Sequence, residues 1–562
     1  MAQIHINTIA DLCVQHGIER AIISPGSRNA ALTIAFNRHP EIQCYSISDE
    51  RSAAFIALGM AQATGKTVAM ICTSGSAALN YAPAVAEAFF QHIPLLILTA
   101  DRPPEWIDQW DGQTIRQQNI YGRHVKENYQ LPVIGNHKNE AWQAYRMVNE
   151  ACIQAQLGVK GPVHINIPFR EPFYPEAAAN WELDQEAKVI KTMAAKLQLS
   201  SNDQEQIVSS FDTFEKVAIL LGQDFYEASF LEELEQLSTQ LNIPIFADVI
   251  SNGHALSNAI SLTDAACMRI TAENKQVFRP DLIISFGKSI ISKNLKLFLR
   301  NNKVTQWHIS SAKTTIADPF QAIEKNINVD PTDFLSSLHD SPAKEQHFLY
   351  EWTLLQSTVA RLGKQYLQGR IEWNEFSALQ QVIEQIPEHA NIHLANSLSV
   401  RYVNFIGLQK PHQVWCNRGT SGIDGSNSTT MGHAIANADE SHYLITGDVA
   451  FFYDRNAFWH KYDYPNLKVI LINNHGGSIF RMIKGPKEQA ELEEFFETKQ
   501  SLNASLLCQE FAVDYFIAKS KVDLTAAITS WLRSSKAALL EIQSESKINQ
   551  EIFESFKIHI QN

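Results

Sequence analysis

The sequence predicts an α/β protein of three consecutive domains with mainly parallel sheets. Its 562 residues are too many for one hydrophobic core, which indicates several domains. Short apolar runs alternate with helix-patterned segments along most of the chain, and the runs end in polar or glycine-rich loops. This alternation is typical of parallel strands joined by crossover helices, whose loops meet at one edge of the sheet. We predict the domains at residues 1–180, 190–345 and 370–562.

In the first domain, each predicted strand delivers a loop with candidate functional side chains to the same edge of the sheet. We predict strands at 20–23, 42–47, 68–72, 95–99 and 163–167, and helices at 53–63 and 77–90. The loops contribute Ser27 and Arg28, then Glu50, then Thr73, Ser74 and Gly75, and finally Arg102. Glu50 comes just before an apolar helix, where we expect it to be buried. By position alone, we favour the alternative that it is an acidic residue that stabilises the start of a helix.

The middle domain repeats the α/β pattern without a nucleotide signature. We predict strands at 218–222, 243–249, 282–287 and 304–310. No GxGxxG loop follows any of them, so a dinucleotide site is not predicted. Polar stretches at 175–203 and 330–369 are interpreted as linkers, the second of them helical.

In the third domain, one βαβ unit carries the most informative polar residues. Strands are predicted at 391–395, 412–416, 443–445, 469–472 and 537–542. Asp448 follows one strand end and Asn474 another, and the carboxyl ends of parallel strands face a common crevice. With the Gly476 carbonyl, they form a hard-oxygen set suited to Mg²⁺ that keeps positions open for phosphate oxygens. Separately, each piece is also an ordinary turn or loop. His475 is interpreted as a loop residue, because Mg²⁺ prefers oxygen ligands.

The spacing of this unit resembles the motif of thiamine-diphosphate-dependent enzymes. Asn474 follows Asp448 by 26 residues, within Gly-Asp and Asn-Asn pairs. The resemblance implies that Asp448, Asn474 and Gly476 bind Mg²⁺, or Mn²⁺, which anchors the diphosphate. It also implies that Glu50 bonds the aminopyrimidine ring of the cofactor and activates it, usually across a subunit interface. The other positions it assigns to the cofactor are Thr73, Ser74, Gly75, Ile423, Gly447, Val449, Ala450 and Ile479.

Ile423 is the candidate for the bulky aliphatic residue that supports the bent cofactor. It lies in a glycine-rich loop at 417–425. Without the resemblance, it is equally a core isoleucine.

A set of loops narrows the resemblance to one family. SPGSR at 24–28, DERS at 49–52, ADRPPE at 100–105, QTIRQ at 113–117, SK at 292–293, NSLSVR at 396–401 and NRGTSGIDG at 417–425 occur in order through all three domains. They resemble the 2-succinyl-5-enolpyruvyl-6-hydroxy-3-cyclohexene-1-carboxylate synthases of menaquinone biosynthesis. The implied reaction decarboxylates 2-oxoglutarate and adds the resulting carbanion to isochorismate in a 1,4 sense.

Both implied substrates carry two carboxylates, so the site requires several cations. Arginine binds carboxylates with a bidentate fork, while lysine offers a point charge. By resemblance, the catalytic and substrate-binding cations are Arg28, Arg102, Lys293, Arg401 and Arg418, and their hydrogen-bonding partners are Ser27, Gln113 and Ser397. Any one of these arginines alone could equally form a surface salt bridge.

Three positions depart from the pattern or lie outside it. Gly112 stands where the family often has Asn, so a substrate contact there is missing or supplied by water. Ala450 stands where the wider superfamily often has Ser, which leaves more of the diphosphate binding to backbone N–H groups. Arg481 has no partner in the pattern and is either an extra anion contact or a surface charge.

The composition restricts the partners that the protein is expected to bind and the compartment in which it is expected to lie. The net charge of −13, without basic runs, disfavours nucleic-acid binding. Seven scattered cysteines never form a CxxC pair, which favours a reducing compartment and predicts no zinc site. No signal-like N-terminus and no membrane-length apolar stretch occurs, so we expect a cytoplasmic protein without membrane contact. The resemblance implies a homodimer or dimer of dimers.

Two other functions remain open from the sequence. One is a different thiamine-diphosphate 2-oxo-acid decarboxylase or carboligase, similar to acetolactate synthase. The numerous arginines and the missing flavin signature disfavour it. The other is a non-catalytic scaffold that has kept the fold, which the presence of Glu50 and of the Asp448–Asn474 pair disfavours.

Overall fold

The computed structural model describes residues 2–133, 137–171, 174, 181–193, 195–311 and 315–562. Its three six-stranded sheets are all parallel, which confirms the predicted α/β class. The chain divides into two compact units. The first unit comprises Met1–Ala194, Asn417–His442 and Ala450–Leu467, and the second comprises Ala195–Cys416, Tyr443–Val449 and Lys468–Asn562.

The first sheet has the strand order β2-β1-β3-β4-β6-β5. Its strands are β1 (Arg20–Ile23), β2 (Gln43–Ser46), β3 (Val68–Cys72), β4 (Leu95–Asp101), β5 (Asn128–Gln130) and β6 (Val163–Pro168). The helices around it are α1 (Ala2–Gln15), α2 (Ala30–Arg38), α3 (Glu50–Thr64), α4 (Ser76–Asn80), α5 (Ala82–Gln91) and α6 (Lys138–Gln156). The central strands β3 and β4 are buried throughout, so they form the middle of this core.

The middle sheet has the order β12-β11-β10-β7-β8-β9. Its strands are β7 (Val217–Leu221), β8 (Ile245–Ala247), β9 (Ala259–Ile260), β10 (Leu282–Phe286), β11 (Thr305–Ser310) and β12 (Ile323–Asn328). The helices are α7 (Ser201–Asp212), α8 (Ala228–Leu241), α9 (Thr263–Met268), α10 (Lys275–Phe278), α11 (Lys293–Asn301), α12 (Pro331–Ser336) and α13 (Gln346–Gln368).

The third sheet has the order β14-β13-β15-β16-β18-β17, which makes β15 and β16 neighbours. Its strands are β13 (Asn391–Leu394), β14 (Gln413–Cys416), β15 (His442–Gly447), β16 (Leu467–Asn473), β17 (Asp514–Ala518) and β18 (Ala538–Gln543). The helices are α14 (Glu375–Gln385), α15 (Leu398–Ile406), α16 (Ser426–Ala436), α17 (Asp448–Tyr453), α18 (Ser505–Glu510), α19 (Lys521–Arg533) and α20 (Ser546–Gln561).

Within the first unit, helices α3 and α16 pack unusually closely because glycine faces backbone on both. A Cβ at Gly59 of α3 would lie 2.0 Å from the Thr429 carbonyl oxygen. A Cβ at Gly432 of α16 would lie 2.2 Å from the Ile56 carbonyl oxygen. This contact fixes the start of α3, where Glu50 lies, relative to the loop that precedes α16.

Two sequence predictions require correction. The helix predicted at 77–90 is two helices, α4 and α5, separated at Tyr81. Pro83 falls in the first turn of α5, where its missing N–H costs nothing, but it could not continue a longer helix. The helical stretch at 330–369 is not a polar linker: α13 buries Phe348, Trp352 and Val359 in the core of the second unit.

For the other predicted linker, residues 175–180 and 194 lie outside the described residues. Residues 181–193 form no helix or strand, and α7 begins at Ser201.

Candidate functional site

Asp448 and Asn474 lie where neighbouring strands of the third sheet end. Asp448 directly follows β15 and Asn474 directly follows β16, and their exposed fractions are 2% and 8%. The Asp448 carboxylate accepts a hydrogen bond from Gln500 Nε2 at 2.6 Å and others from the backbone N–H groups of Val449 and Gly476. Burial raises the pKa of Asp448 to about 7, against the effect of these donors.

The Asn474 side chain has one end bonded to the protein and a buried oxygen at the other end. Its Nδ2 donates to Glu375 Oε2 at 2.9 Å. Its Oδ1 is buried and has no hydrogen-bond partner among the described residues. Such an acceptor costs about 1–3 kcal/mol when it is left unsatisfied, so a bound cation would relieve a penalty already present. Together with the Asp448 carboxylate and the Gly476 carbonyl, this oxygen fits Mg²⁺ or Mn²⁺.

The first asparagine of the pair has a different task. Asn473 Nδ2 donates to Glu541 Oε1 at 2.8 Å, while its Oδ1 accepts from the His475 N–H at 3.1 Å and from Gln500 Nε2 at 3.3 Å. Gln500 therefore bonds both the Asp448 carboxylate and the Asn473 amide. Asn473 shapes the loop, and Asn474 keeps an oxygen available to a ligand.

Glu375 was not predicted as part of this site. It is fully buried at the start of α14, and burial raises its pKa. Its carboxylate accepts hydrogen bonds from Asn474 Nδ2, from Tyr402 Oη at 2.7 Å and from Ser544 Oγ at 3.0 Å. The sequence gives no signal for this role, because Glu375 is separated from Asn474 by 99 residues.

Arg481 is neither a surface charge nor an open anion contact. Its side chain is buried and ion-paired with Glu497, which is 1% exposed, at 2.5 Å and with the more exposed Glu493 at 2.8 Å. Glu497 also accepts the Gly477 N–H through its backbone oxygen at 2.6 Å. The Arg481 pair thus anchors the segment that bonds the loop at Gly477.

Glu50 is only half-buried as the first residue of α3, whereas the sequence predicted a buried carboxylate. Asn80 Nδ2 lies 3.4 Å from its Oε2. Its neighbours are fixed: Asp49 caps α3 and accepts from Asn456 Nδ2 at 2.7 Å, and Arg51 donates to the Tyr453 carbonyl at 2.6 Å. The backbone around Glu50 is therefore held while its carboxylate stays accessible.

The predicted cofactor segment at Thr73, Ser74 and Gly75 follows β3, and a hydrogen bond to Gln117 supports its backbone. The Thr73 and Ser74 hydroxyls are buried without hydrogen-bond partners among the described residues. Gly75 has a φ of +89°, and its N–H donates to Gln117 Oε1 at 2.8 Å. Gln117, in the QTIRQ segment, was quoted in the motif but not assigned; here it supports the backbone of this loop.

The glycine-rich loop that carries Arg418 and Ile423 is fastened by Glu87 of α5. The buried Glu87 carboxylate accepts from the Gly419 N–H at 2.7 Å and from the Thr420 N–H and hydroxyl, each at 2.6 Å. Ile423 is 37% exposed, so it is not a core isoleucine. Sequence reasoning missed Glu87 because a lone glutamate in an apolar helix carries no motif.

Arg102, a predicted substrate-binding cation of the first unit, has two partners within the protein. Arg102 is half-buried, with Nε donating to Asp111 and Nη2 to the Gly112 carbonyl, both at 2.8 Å. Gly112, the departure noted in the sequence, thus contributes a backbone contact. Gln113 follows it, exposed and with a φ of +57°.

Ser27 and Arg28, predicted together as substrate-binding residues, differ in their exposure to solvent. Arg28 is buried, and its Nη1 donates to the backbone carbonyls of Phe169 and Arg170 at 3.0 and 3.2 Å. Ser27 is exposed beside it. The structure therefore fixes Arg28 by backbone contacts that the sequence did not predict.

In the second unit, Lys293 and Arg401 lie around a buried acid. Asp264 accepts the Asn294 N–H at 2.9 Å, next to Lys293, and the Arg401 charge opposes the burial that raises the pKa of Asp264. Lys293 is exposed, and Arg401 is half-buried. Ser397, before α15, has φ +74° and ψ −129°, a conformation that is costly for a residue with a side chain and is typical of functional loops.

The remaining predicted cofactor positions surround the metal ligands in sequence. Gly447, Val449 and Ile479 are half-buried, and Ala450 is buried. Across the part of the chain that the structure describes, no helix combines the length and the apolar character needed to cross a membrane.

Three family models match the chain in order. The N-terminal TPP binding domain of thiamine pyrophosphate enzymes matches residues 6–120, the middle domain of thiamine pyrophosphate enzymes matches 177–394, and the C-terminal TPP binding domain matches 397–542. Together these matches span most of the sequence.

Full-length relatives agree with these matches. Proteins named 2-succinyl-5-enolpyruvyl-6-hydroxy-3-cyclohexene-1-carboxylate synthase from Cytophaga hutchinsonii, Flavobacterium johnsoniae and Porphyromonas gingivalis are 43%, 37% and 34% identical to it. These alignments cover 99%, 98% and 99% of this chain, and 99%, 97% and 97% of the respective relatives.

Proposed function

We propose a function from one premise: this chain belongs to the 2-succinyl-5-enolpyruvyl-6-hydroxy-3-cyclohexene-1-carboxylate synthase family of thiamine pyrophosphate enzymes. It is a thiamine-diphosphate-dependent transferase of menaquinone biosynthesis. Its substrates are 2-oxoglutarate and isochorismate, and its products are 2-succinyl-5-enolpyruvyl-6-hydroxy-3-cyclohexene-1-carboxylate and CO₂. When bound, thiamine diphosphate supplies the carbanion chemistry by which 2-oxoglutarate loses CO₂ and the remaining unit is transferred.

The cofactor is held at its charged end by the second unit. Asp448, Asn474 and Gly476 would bind a divalent cation, Mg²⁺ or Mn²⁺, that neutralises the diphosphate. The observation that carries this assignment is the buried Asn474 Oδ1, which has no hydrogen-bond partner among the described residues. Gln500 holds the Asp448 carboxylate in place.

Glu50 supplies the acid that activates the cofactor ring. Its carboxylate is half-buried, so it is accessible to a ligand, and its backbone is fixed by the contacts of Asp49 and Arg51. Thr73, Ser74, Gly75 and Ile423 complete the cofactor-binding set in the first unit.

The substrate carboxylates are bound by Arg28, Arg102, Lys293, Arg401 and Arg418, with Ser27, Gln113 and Ser397 as hydrogen-bonding partners. Support comes from chemistry: two dicarboxylic substrates require several fixed cations, and arginine provides planar bidentate donors. Asp111 orients the Arg102 guanidinium, and the Glu87 carboxylate fixes the loop that carries Arg418 by bonding the Gly419 N–H.

Product analysis tests the function directly. The purified protein is supplied with thiamine diphosphate, Mg²⁺, isochorismate and either 2-oxoglutarate or pyruvate. We expect CO₂ release and a succinyl adduct with 2-oxoglutarate and only trace turnover with pyruvate. A preference for pyruvate would instead favour an acetolactate-synthase-like carboligase, and failure to bind the cofactor in calorimetry would favour a scaffold.

We further propose a homodimer, or a dimer of dimers, in which two copies share each active site, and a cytoplasmic location. All seven cysteines are thiols, as suits a reducing compartment. A mixture of Glu50→Gln and Asp448→Ala chains tests the shared site. We expect each variant alone to turn over far more slowly than the wild type. Reassembled heterodimers should regain activity, because one of their two sites combines the intact Glu50 of one copy with the intact Asp448 of the other.

A further inference from the structure

The second unit contains a closed hydrogen-bond network behind the metal ligand Asn474. Glu375 accepts the Asn474 amide N–H on Oε2, and the same oxygen accepts Ser544 Oγ. Its other oxygen accepts Tyr402 Oη. Asn549 closes the ring by accepting the Glu375 backbone N–H at 3.1 Å and donating to Ser544 Oγ at 2.9 Å.

The burial of this network fixes the carboxylate in one position. Glu375 and Tyr402 are 0% exposed, and Asn549 is 1% exposed. The partners come from α15, α20 and the loop after β18, so four separate segments of the second unit, including α14 itself, determine where Oε2 lies. The Glu375 carboxylate therefore keeps its position when the neighbouring Asn474 side chain rotates.

An asparagine amide has a donor end and an acceptor end, and its two orientations place opposite chemistry at the same point. Because a carboxylate only accepts hydrogen bonds, Glu375 selects the orientation in which Nδ2 faces it. Oδ1 is then directed to the other side, where it lies buried with no partner among the described residues. Only this orientation offers an oxygen to a cation.

The adjacent asparagine shows that a buried carboxylate alone does not produce this result. Glu541 bonds Asn473 Nδ2 in the same way, but the Asn473 Oδ1 is occupied by the His475 N–H and by Gln500. Of the two asparagines, only Asn474 combines a carboxylate-bound amide with an unoccupied oxygen.

From this geometry we propose that Glu375 is a positioning residue that orients the Asn474 amide for divalent-cation binding, with Tyr402, Ser544 and Asn549 holding Glu375 in place. The proposal rests on the metal site proposed above and goes beyond it by naming what sets that site up. Outer-shell partners of metal ligands typically change metal affinity by 10- to 100-fold.

Titration with Mn²⁺ tests the proposal, with the free ion measured by electron paramagnetic resonance in the presence of saturating thiamine diphosphate. We expect Glu375→Gln to weaken Mn²⁺ binding by about 10- to 100-fold. Glu375→Asp keeps the negative charge, but its shorter side chain moves the carboxylate away from Asn474, so it should also weaken Mn²⁺ binding. This variant replaces Glu375→Gln if the glutamine variant does not fold. Glu388→Gln is the matched control, because it makes the same change at an exposed glutamate of the second unit outside this network; we expect wild-type affinity.

A double-mutant cycle separates positioning from general structural support. In an Asn474→Ala background, Glu375→Gln should cause no further loss of Mn²⁺ affinity, because its effect passes through the missing amide. Additive losses, or wild-type affinity in Glu375→Gln, would overturn the proposal. Asp448→Ala tests the proposed metal site itself. If this variant binds Mn²⁺ normally, Asp448 is not a metal ligand and the metal site proposed above is wrong.

Discussion

The two units support their cofactor-binding loops with different kinds of buried network. In the first unit, neutral side chains predominate beneath Gly75: Gln117 bonds the Gly75 N–H, and Asn166 bonds Gln117 and Thr99. In the second unit, carboxylates predominate: Glu375 holds Asn474, and Glu541 holds Asn473.

The difference follows from what each loop must present. A backbone N–H group needs only an acceptor behind it to be fixed, which a neutral amide provides. An amide that must present its oxygen to a cation needs a partner that can only accept, and an ionised carboxylate is such a partner. The loop at Gly75 is thus fixed through its backbone, and the loop at Asn474 through the polarity of its side chain.

Glu50→Gln tests the largest functional difference between the units. We expect turnover to fall about 10²- to 10⁴-fold, because the acid that activates the cofactor is lost. Mn²⁺ binding in the presence of thiamine diphosphate should remain normal, because the proposed metal ligands lie in the second unit. Steady-state kinetics and metal titration on the same preparation measure both.

The exposed Glu41→Gln is the control for that experiment and should change neither quantity. Turnover of Glu50→Gln at the wild-type rate would show that the activation role is wrongly assigned. Loss of metal binding would show that the two contributions are not separable.

Arg481→Met tests the dependence of the second unit on buried charge. It leaves Glu497, which is 1% exposed, without its cation, and breaking a buried pair in this way costs about 3–5 kcal/mol. We expect an earlier unfolding transition in urea. Glu493→Gln removes the more exposed partner of the same arginine and should have only a small effect. Equal transitions for both variants would mean that the Arg481–Glu497 pair does not stabilise the unit.

The sequence predicted the central strands better than the edges of the sheets. The strands missed were β5, β9, β12 and β17, and each is an edge strand. Edge strands are short or polar on their open side, so they lack the apolar runs by which β3 and β4 were recognised. Four of the six edge strands were therefore missed, whereas the edge strands β2 and β14 and all the inner strands were predicted.

For the site, the sequence predicted residues that belong to local motifs and missed those that support them. Asp448 and Asn474 were predicted because strand ends and motif spacing are visible in the chain. Glu375, Glu541 and Glu87 were not, because each is a lone glutamate whose partner is distant in sequence. Such contacts arise only when the chain folds, and no local pattern encodes them.

Arg102→Lys tests the substrate side of the first unit, where contacts are more exposed. Lysine keeps the charge but loses the planar fork that bonds Asp111 and the Gly112 carbonyl together. We expect KM for one of the two dicarboxylic substrates to rise about tenfold, equivalent to about 1.4 kcal/mol, with little change in stability. Arg116→Lys, at an exposed ion pair with Asp108, is the control and should leave KM unchanged. An unchanged KM for Arg102→Lys would remove it from the substrate-binding set.

His164→Gln tests whether the first unit depends on neutral buried groups. His164 is fully buried against Thr99, and burial lowers its pKa to about 3 from an ordinary value of 6.5. Between these values only the unfolded chain takes up the proton, so this histidine makes the wild type less stable as pH falls from 6.5 towards 3, by up to about 1.4 kcal/mol per pH unit. The variant lacks this loss. Its stability relative to the wild type should therefore rise as the pH is lowered, as measured by urea denaturation across that range.

Asp101→Asn provides the opposite sign within the same network. Burial raises the pKa of Asp101 to about 6, so between pH 3.8 and 6 the folded protein holds the extra proton and gains stability as pH falls. The asparagine variant loses that gain, and its stability relative to the wild type should fall as pH drops through this window. If both variants track the wild type at every pH, burial shifts the pKa of neither side chain. The contrast between a neutral network in the first unit and a carboxylate network in the second would then fail.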